Sequence, residues 1–244
     1  MKIEGKTDVG RKRPNNEDGF TCRLLNDGIG YAVVCDGMGG VAGGALASKL
    51  ATTVVGTALE EQDLSKLSDM KIKQLLTASV RQANRIIHER ARLDKALTGM
   101  GTTIVAAVVC GRVLHLCHVG DSRAYLFANG ILTQLTKDHS VVQTMVDSGK
   151  LTADQAKTHP GRNILERAVG VEEEVVTDYS CLALHTEDLL LLCTDGLTNF
   201  VGDTQITEIM QRFSPEKIPG ELINAANAND GGDNITAVVI KVED

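Results

Sequence analysis

Three short apolar runs near the middle of the chain are separated by connections of only three residues. They span 102–109, 113–119 and 123–127, and β-branched residues dominate the first. Two parallel strands need a crossover of about a dozen residues or more, so strands this closely spaced favour antiparallel neighbours. The spacing therefore predicts antiparallel strands joined by hairpin turns at 111–112 and 120–122.

Other segments extend this pattern in both directions along the chain. Apolar runs predict further strands over 29–35, 189–193 and 235–242. Helical periodicity and composition predict two helix pairs, one over 45–59 and 69–93 and the other over 203–212 and 218–229. The order of strands, two helices, strands, two helices and a final strand predicts an α+β fold with helices packed on sheet faces.

Residues 138–170 differ from the segments around them because they are polar and lack a strand-like run. Short helices are predicted there over 141–148 and 153–157. We interpret the segment as a mobile insertion that lies near the functional site. The length of 244 residues fits one large domain, so we expect a single domain over 1–244 that carries this insertion.

Composition excludes some classes of function. The chain has 25 basic and 32 acidic residues and a net charge of -7, which disfavours nucleic-acid binding. Its 6 cysteines form no CxxC pair, and most lie in apolar runs typical of buried thiols in a reducing compartment. We find no signal segment and no apolar run long enough to span a membrane, so we expect a cytoplasmic protein.

Acidic residues recur where the predicted strands begin or end. The recurrent acids are Asp36 in VVCDG, Asp121 in HVGDS, Asp195 in LLCTDG, Asp233 in GGDN, and the pair Glu17 and Asp18 in RPNNEDG. If the strands lie side by side, these carboxylates converge and repel one another unless a cation neutralises them. Oxygen ligands without His or Cys favour Mg²⁺ or Mn²⁺ over Zn²⁺. The pattern therefore predicts a carboxylate metal site.

Longer motifs around these acids resemble a known family. The chain carries, in this order, RKRPNNED, VVCDGMGG, GTTIVAAVV, HVGDSRAYL, LTKDHS, LLLLCTDGL and GGDNITAVVI. This set resembles the bacterial branch of the metal-dependent protein serine/threonine phosphatases, the protein phosphatase 2C-like family. The resemblance extends from Thr7 to Val242. It implies a four-layer α-β-β-α sandwich, in which helix pairs flank a central antiparallel β-sandwich.

The resemblance also implies a set of metal ligands at one end of the sheets. Asp36 is expected to bridge two core Mn²⁺ or Mg²⁺ ions. The carbonyl of Gly37 is expected to bind the second ion, with Glu17 approaching it directly or through water. Asp195 and Asp233 are expected to bind the first ion.

Further roles follow from the same resemblance. Asp121 is expected to hold a third, weaker ion together with Asp195, and Asp18 to hold metal-bound waters in the outer shell. Arg13 matches the arginine that binds the substrate phosphate, and residues 138–170 correspond to the family's flap. The implied reaction is hydrolysis of phosphoserine or phosphothreonine by direct attack of a metal-bridging hydroxide, without a phospho-enzyme intermediate.

One position departs from part of the family. Met38 stands where some members, mainly eukaryotic, have a His proposed as the general acid. The acid is therefore unassigned, with metal-bound water as the first candidate. His139 and His159 are the other candidates, although an exposed or capping role is the simpler interpretation of both.

Other features of the sequence suggest alternatives to a phosphatase, and each is disfavoured. A zinc site at His115, Cys117 and His118 is disfavoured because strand alternation places His118 on the opposite face. The glycine-rich run after Asp36 lacks the Gly-Lys-Ser/Thr ending of a P-loop and does not match GxGxxG, so nucleotide binding is disfavoured. A non-catalytic phosphoprotein-binding relative is disfavoured because Asp36, Asp195 and Asp233 are all present. A phosphatase for anti-sigma-antagonist proteins often carries sensor domains, for which we expect 244 residues to leave no room. The resemblance implies phosphorylated proteins as substrates, a cognate serine/threonine kinase as partner, and a monomer.

Overall fold

The structure is a computed structural model that describes residues 1–26, 28–39 and 43–243. Gly40, part of the glycine-rich run, lies outside the described residues. The strands are β1 (Lys2–Asp8), β2 (Asp18–Asn26), β3 (Ile29–Met38), β4 (Gly101–Thr102), β5 (Ile104–Cys110), β6 (Val113–Val119), β7 (Arg123–Ala128), β8 (Ile131–Gln134), β9 (Asp178–Ala183), β10 (Leu189–Cys193) and β11 (Ile235–Lys241).

These strands form two antiparallel sheets that pack face to face. The first sheet has the order β1-β11-β10-β7-β8, and the second has the order β2-β3-β5-β6-β9, with β4 paired to β3. The facing sides share one aliphatic core, to which both sheets contribute residues such as Val34, Val105, Leu190 and Val238. Burying these apolar side chains from both sheets holds the sandwich together.

Helices cover the outer face of each sheet. The helices are α1 (Gly43–Glu60), α2 (Asp69–Leu93), α3 (Val141–Asp147), α4 (Ala153–Thr158), α5 (Asp195–Thr198), α6 (Asp203–Arg212) and α7 (Ile218–Ala228), with short 3₁₀ turns at Leu64–Lys66 and Lys95–Leu97. Val55 of α1 and Leu76 of α2 pack in a core with the second sheet. Leu222 of α7 packs in a separate core with the first sheet. The predicted four-layer α-β-β-α sandwich is therefore confirmed.

Two local predictions were wrong. Residues 120–122 are not a hairpin turn, because β6 belongs to the second sheet and β7 to the first, so the chain crosses between the sheets there. Gly120 has a φ of 106° at this crossing, which favours glycine. In addition, β3 does not end at Asp36 but continues to Met38, since Gly37 pairs with Thr102 of β4.

The insertion at 138–170 contains the two predicted helices, α3 and α4. One isolated bridge joins Ser140 to Leu165 within the insertion, and another ties its C-terminal end to the body of the protein by joining Val169 to Thr102. Within the described ranges, no helix is both long enough and apolar enough to cross a lipid bilayer.

Candidate active site

One cavity of about 450 Å³ lies at the end of the sandwich where the predicted site residues meet. Its wall includes Arg13, Glu17, Asp36, Gly37, Asp121, Asp195 and Asp233. These residues come from different connections: the β1–β2 loop, strand β3, the crossing from β6 to β7, the start of α5, and the turn before β11. The fold thus gathers residues that are far apart in the sequence, and only Asp18 of the predicted set does not line the cavity.

Two threonines that the sequence analysis did not single out fix the backbone at Asp36. Its N–H donates to Oγ1 of Thr103 at 2.9 Å, and its carbonyl accepts from Oγ1 of Thr102 at 2.8 Å. Oγ1 of Thr103 also shares a hydrogen bond of 2.6 Å with the hydroxyl of Ser122, the neighbour of Asp121. Thr103 therefore links the backbone of Asp36 to the residue that follows Asp121, so it connects the surroundings of two predicted ligands.

The glycine after Asp36 is required by close packing of the backbone. A Cβ atom on Gly37 would lie 2.1 Å from the carbonyl oxygen of Gly44 and 2.6 Å from that of Glu17. The N–H of Gly37 donates to the Glu17 carbonyl at 3.2 Å. Gly37 thus lets the start of α1 and the loop before β2 approach the site closely.

Asp18 lies beneath the cavity, paired in register with Asp36 across β2 and β3. Its Oδ2 accepts hydrogen bonds from the hydroxyls of Thr194 at 2.9 Å and Thr236 at 2.7 Å. Its Oδ1 is buried and has no hydrogen-bond partner within the described part of the chain. Burial raises the pKa of Asp18 to about 7, although the two hydroxyls oppose this rise.

Asp195 shows the same combination of one bonded and one orphaned oxygen. Its Oδ2 accepts from Nδ2 of Asn199 at 2.9 Å, four residues later in the chain. Its Oδ1 is buried without a hydrogen-bond partner among residues 1–26, 28–39 and 43–243. A buried, unbonded carboxylate oxygen is costly, so it marks a position where a cation fits.

Buried carboxylates with raised pKa values surround the cavity. Burial is the main cause of the raised pKa of Asp36, Asp121 and Asp195, and the negative charge of a neighbouring carboxylate raises each pKa further. Hydrogen bonds with Asp36 and Asn199 oppose the rise in the pKa of Asp195. Burial also raises the pKa of Glu17, while the charge of Arg13 opposes that rise. Each carboxylate would be easier to ionise beside a divalent cation, which would remove the repulsion.

Arg13 is the cation of this set, and it projects from the loop between β1 and β2. Its Nη2 donates to Oδ2 of Asp233 at 2.9 Å, while its side chain keeps 52% of its surface exposed. A guanidinium that is half exposed at the rim of a cavity can meet the oxygens of an incoming anion.

The donor set fits hard divalent cations. The cavity offers carboxylate oxygens from several connections, and two buried carboxylate oxygens lack hydrogen bonds within the described residues. No group of three or more His, Cys, Asp or Glu side chains in that part of the chain is already arranged to hold a metal ion. Asp233 and Asp195 are instead directed toward Arg13 and Asn199.

The cavity wall contains other residues that sequence reasoning missed. Asn163 and Leu165 of the insertion line it, so the insertion does lie next to the site. Asn234 also lines the cavity. The quoted motif GGDN contains Asn234, but no residue type in it indicates that the side chain contacts a loop more than 200 positions earlier.

The histidines that were considered as acids or zinc ligands have other contacts. The ring of His115 bonds the hydroxyl of Tyr179 at 2.8 Å. The ring of His118 lies 4.4 Å from that of His139, measured between centroids. His139 is buried, and Nδ1 of His159 accepts from the N–H of Gly161 at 3.0 Å. None of these four histidines is among the described residues that line the cavity.

Comparisons with known proteins agree with this geometry. A family model described as protein phosphatase 2C matches residues 5–222. The serine/threonine phosphatase stp of Listeria monocytogenes is 39% identical over 243 residues, which cover 99% of this chain and 96% of that protein. A solved serine/threonine phosphatase of S. agalactiae has a TM-score of 0.93 at 34% identity, and the match covers 99% of both chains. The catalytic domain of the phosphatase PstP, solved with two manganese ions, has a TM-score of 0.87 at 35% identity, with 100% of this chain and 98% of that chain covered.

Proposed function

Because this chain belongs to the protein phosphatase 2C family, we propose that it is a metal-dependent phosphatase that hydrolyses phosphoserine and phosphothreonine in proteins. The observation that carries the proposal is the single cavity in which Arg13 lies together with Glu17, Asp36, Asp121, Asp195 and Asp233. This arrangement joins a phosphate-binding cation to a set of hard oxygen ligands.

Two core ions, Mn²⁺ or Mg²⁺, are proposed for the carboxylates. Asp36, Asp195 and Asp233 would hold the first ion, and Asp36, the Gly37 carbonyl and Glu17 would hold the second. The chemistry of the donor set supports this assignment, because it contains only oxygen atoms. We propose that a third, weaker ion is held by Asp121 and Asp195.

When bound, the ions supply a hydroxide nucleophile at neutral pH and positive charge for the phosphoryl oxygens. Arg13 donates hydrogen bonds to two oxygens of the phosphate and orients the phosphorus for in-line attack. Asp18, whose Oδ1 has no hydrogen-bond partner within the described residues, holds ordered water below Asp36. Met38 lines the cavity but has no proton to donate, and we propose water as the proton donor for the leaving group.

The substrate is a phosphorylated segment of another protein. The half-exposed Arg13 and the insertion residues Asn163 and Leu165 form a rim that an extended peptide can reach. We further propose that the chain is one domain with residues 138–170 as its flap. We also propose that it is a cytoplasmic monomer that removes the phosphate groups added by a cognate serine/threonine kinase.

Hydrolysis of p-nitrophenyl phosphate and of a phosphothreonine peptide tests this function. We expect turnover with Mn²⁺ that EDTA abolishes, and we expect Asp36→Asn to lose at least about a hundredfold in kcat. The matched control is Asp203→Asn, which removes an exposed carboxylate at the start of α6 and should leave kcat unchanged. Purified protein that stays inert with both Mn²⁺ and Mg²⁺ would refute the proposal.

A further inference from the structure

The loop that carries Arg13 is closed by a side chain from the other end of the protein. We call residues 9–17 the Arg13 loop. Asn234 lies directly before β11 and is 5% exposed. Its Oδ1 accepts a hydrogen bond of 2.8 Å from the backbone N–H of Glu17, the last residue of the loop.

The amide nitrogen of the same side chain bonds two further points of the loop. Nδ2 of Asn234 donates to the carbonyl oxygen of Val9 at 3.0 Å and to that of Asn15 at 2.9 Å. One buried amide therefore connects both ends of the Arg13 loop. Its two donor hydrogens and its acceptor oxygen are all used, which fixes the orientation of the side chain.

Asn234 also relates the loop to the partner of Arg13. Asp233 precedes it in the chain and accepts from Nη2 of Arg13 at 2.9 Å. β11 begins at the next residue and pairs with both β1 and β10, so the anchor point is part of the sheet. The loop backbone, through Asn234, and the Asp233 carboxylate are thus both anchored at the start of strand β11.

The Arg13 side chain itself is weakly restrained. It is long, 52% exposed, and its guanidinium contacts Asp233. Ordering such a side chain costs conformational entropy. Where the guanidinium meets a phosphate therefore depends on where the loop holds its backbone.

We propose that Asn234 is a positioning residue that holds the Arg13 loop in the geometry needed for phosphate binding. This inference rests on the proposed function, because it takes Arg13 as the ligand of the substrate phosphate. Asn234 acts through Arg13, because its amide oxygen and amide nitrogen are already bonded to the backbone of the Arg13 loop.

The chain contains a matched control with the same hydrogen-bond chemistry. Asn84 of α2 is 1% exposed, and its Oδ1 accepts from the N–H of Gly170 at 2.6 Å. Its Nδ2 donates to the carbonyl oxygens of Glu172 and Glu173, each at 3.0 Å. Asn84→Ala removes as many buried hydrogen bonds as Asn234→Ala, but from a different loop.

Hydrogen exchange measured by mass spectrometry tests the structural half of the proposal. We expect Asn234→Ala to speed exchange in the peptide that covers the Arg13 loop, and Asn84→Ala to speed it only around 170–173. Asn234→Asp keeps the volume and the acceptor oxygen but loses both donor hydrogens, so it should also speed exchange in the Arg13 loop. Unchanged exchange there in folded Asn234→Ala and Asn234→Asp proteins would overturn the proposal.

Inhibition by inorganic phosphate tests the functional half. We expect Asn234→Ala to raise the inhibition constant about tenfold, as for the loss of one hydrogen bond to a charged group. In the Arg13→Ala protein, Asn234→Ala should raise the inhibition constant little further, because Asn234 acts through Arg13. Asn84→Ala should show no such coupling to Arg13→Ala.

If Asn234→Ala raised the inhibition constant for phosphate by the same factor in the wild-type and Arg13→Ala proteins, the positioning role would be overturned. The proposed function is judged separately. If Arg13→Ala leaves the inhibition constant unchanged, the assignment of Arg13 as phosphate ligand fails, whereas the exchange rates still decide whether Asn234 orders the loop.

Discussion

At the scale of single residues, the geometry of the site depends on neighbours that carry no charge. Thr102 and Thr103 bond the backbone of Asp36, and Gly37 lets two other segments approach it. Buried backbone groups need such partners, because an unpaired one costs about as much as a lost hydrogen bond, roughly 1–3 kcal/mol. The carboxylates supply the chemistry, while these residues hold the carboxylates in place.

Gly37 gives a prediction at this scale. Gly37→Ala should lower the free energy of unfolding by about 1–3 kcal/mol, because the new Cβ would lie 2.1 Å from the Gly44 carbonyl oxygen. Urea denaturation measures this change. The control is Gly220→Ala in the first turn of α7, where the nearest atom is Nζ of Lys6 at 3.7 Å. That variant should be neutral or up to about 1 kcal/mol more stable, since alanine favours helix; an unaffected Gly37→Ala would contradict the packing account.

At the scale of elements, the sequence predicts the buried strands and the amphipathic helices well. The bounds of β6, β10, α2 and α6 agree with prediction because apolar periodicity marks both of their ends. The strands β1, β2, β8 and β9 were not predicted. β1 and β2 mix charged with apolar residues, and β1, β2, β8 and β9 all lie at sheet edges, where few positions must be apolar.

The wrong hairpin at 120–122 has a different cause. A short turn between two strands looks the same in sequence whether the strands share a sheet or lie in opposite sheets. Here the choice depends on packing of β7 beside β10, a partner more than 60 positions away. The role of Asn234 was missed for the same reason, because its partners lie at the start of the chain.

Contact between β6 and the start of the insertion gives a pH prediction. His118 of β6 is buried and its ring packs at a tilt against that of His139. Burial lowers the pKa of His118 to about 4, with the charge of His139 adding to the effect. Asp138 and Asp178 oppose this shift. An unfolded His has a pKa of about 6.5, so between about pH 6.5 and 4 the unfolded chain binds a proton that the folded chain does not.

Stability from His118 is therefore complete above about pH 6.5 and is lost as the pH falls toward about 4. Urea denaturation in EDTA at a series of pH values should show a shallower acid slope for His118→Phe than for the wild-type protein. The two slopes should agree above pH 6.5 or so, where the imidazole is neutral in both states. Identical slopes over the acid range would contradict the buried neutral histidine.

At the scale of the whole molecule, strand β3 and four other segments place acids from distant parts of the sequence around one cavity. The sequence predicts this convergence because strand ends meet at one end of a sandwich. It does not predict the distances between the acids, which depend on how the two sheets pack. The repulsion among these carboxylates couples metal binding to the stability of the entire fold.

Metal binding should therefore stabilise the protein as a whole. Mn²⁺ at about a hundredfold excess over its dissociation constant should raise the melting temperature by about 5–10 °C, and EDTA should reverse the rise. Asp36→Asn should lose most of this shift, whereas Asp203→Asn should keep it. A full shift in the Asp36→Asn protein would argue against ligation by Asp36.

The proposed ligand set requires that the carboxylates of this cavity hold two metal ions that share Asp36. Anomalous diffraction from crystals grown with Mn²⁺ tests this requirement, because it locates the ions without reference to activity. We expect two strong peaks in the cavity, one beside Asp195 and Asp233, the other beside Gly37, and both in contact with Asp36. Peaks only outside the cavity, or a single peak that does not touch Asp36, would contradict it.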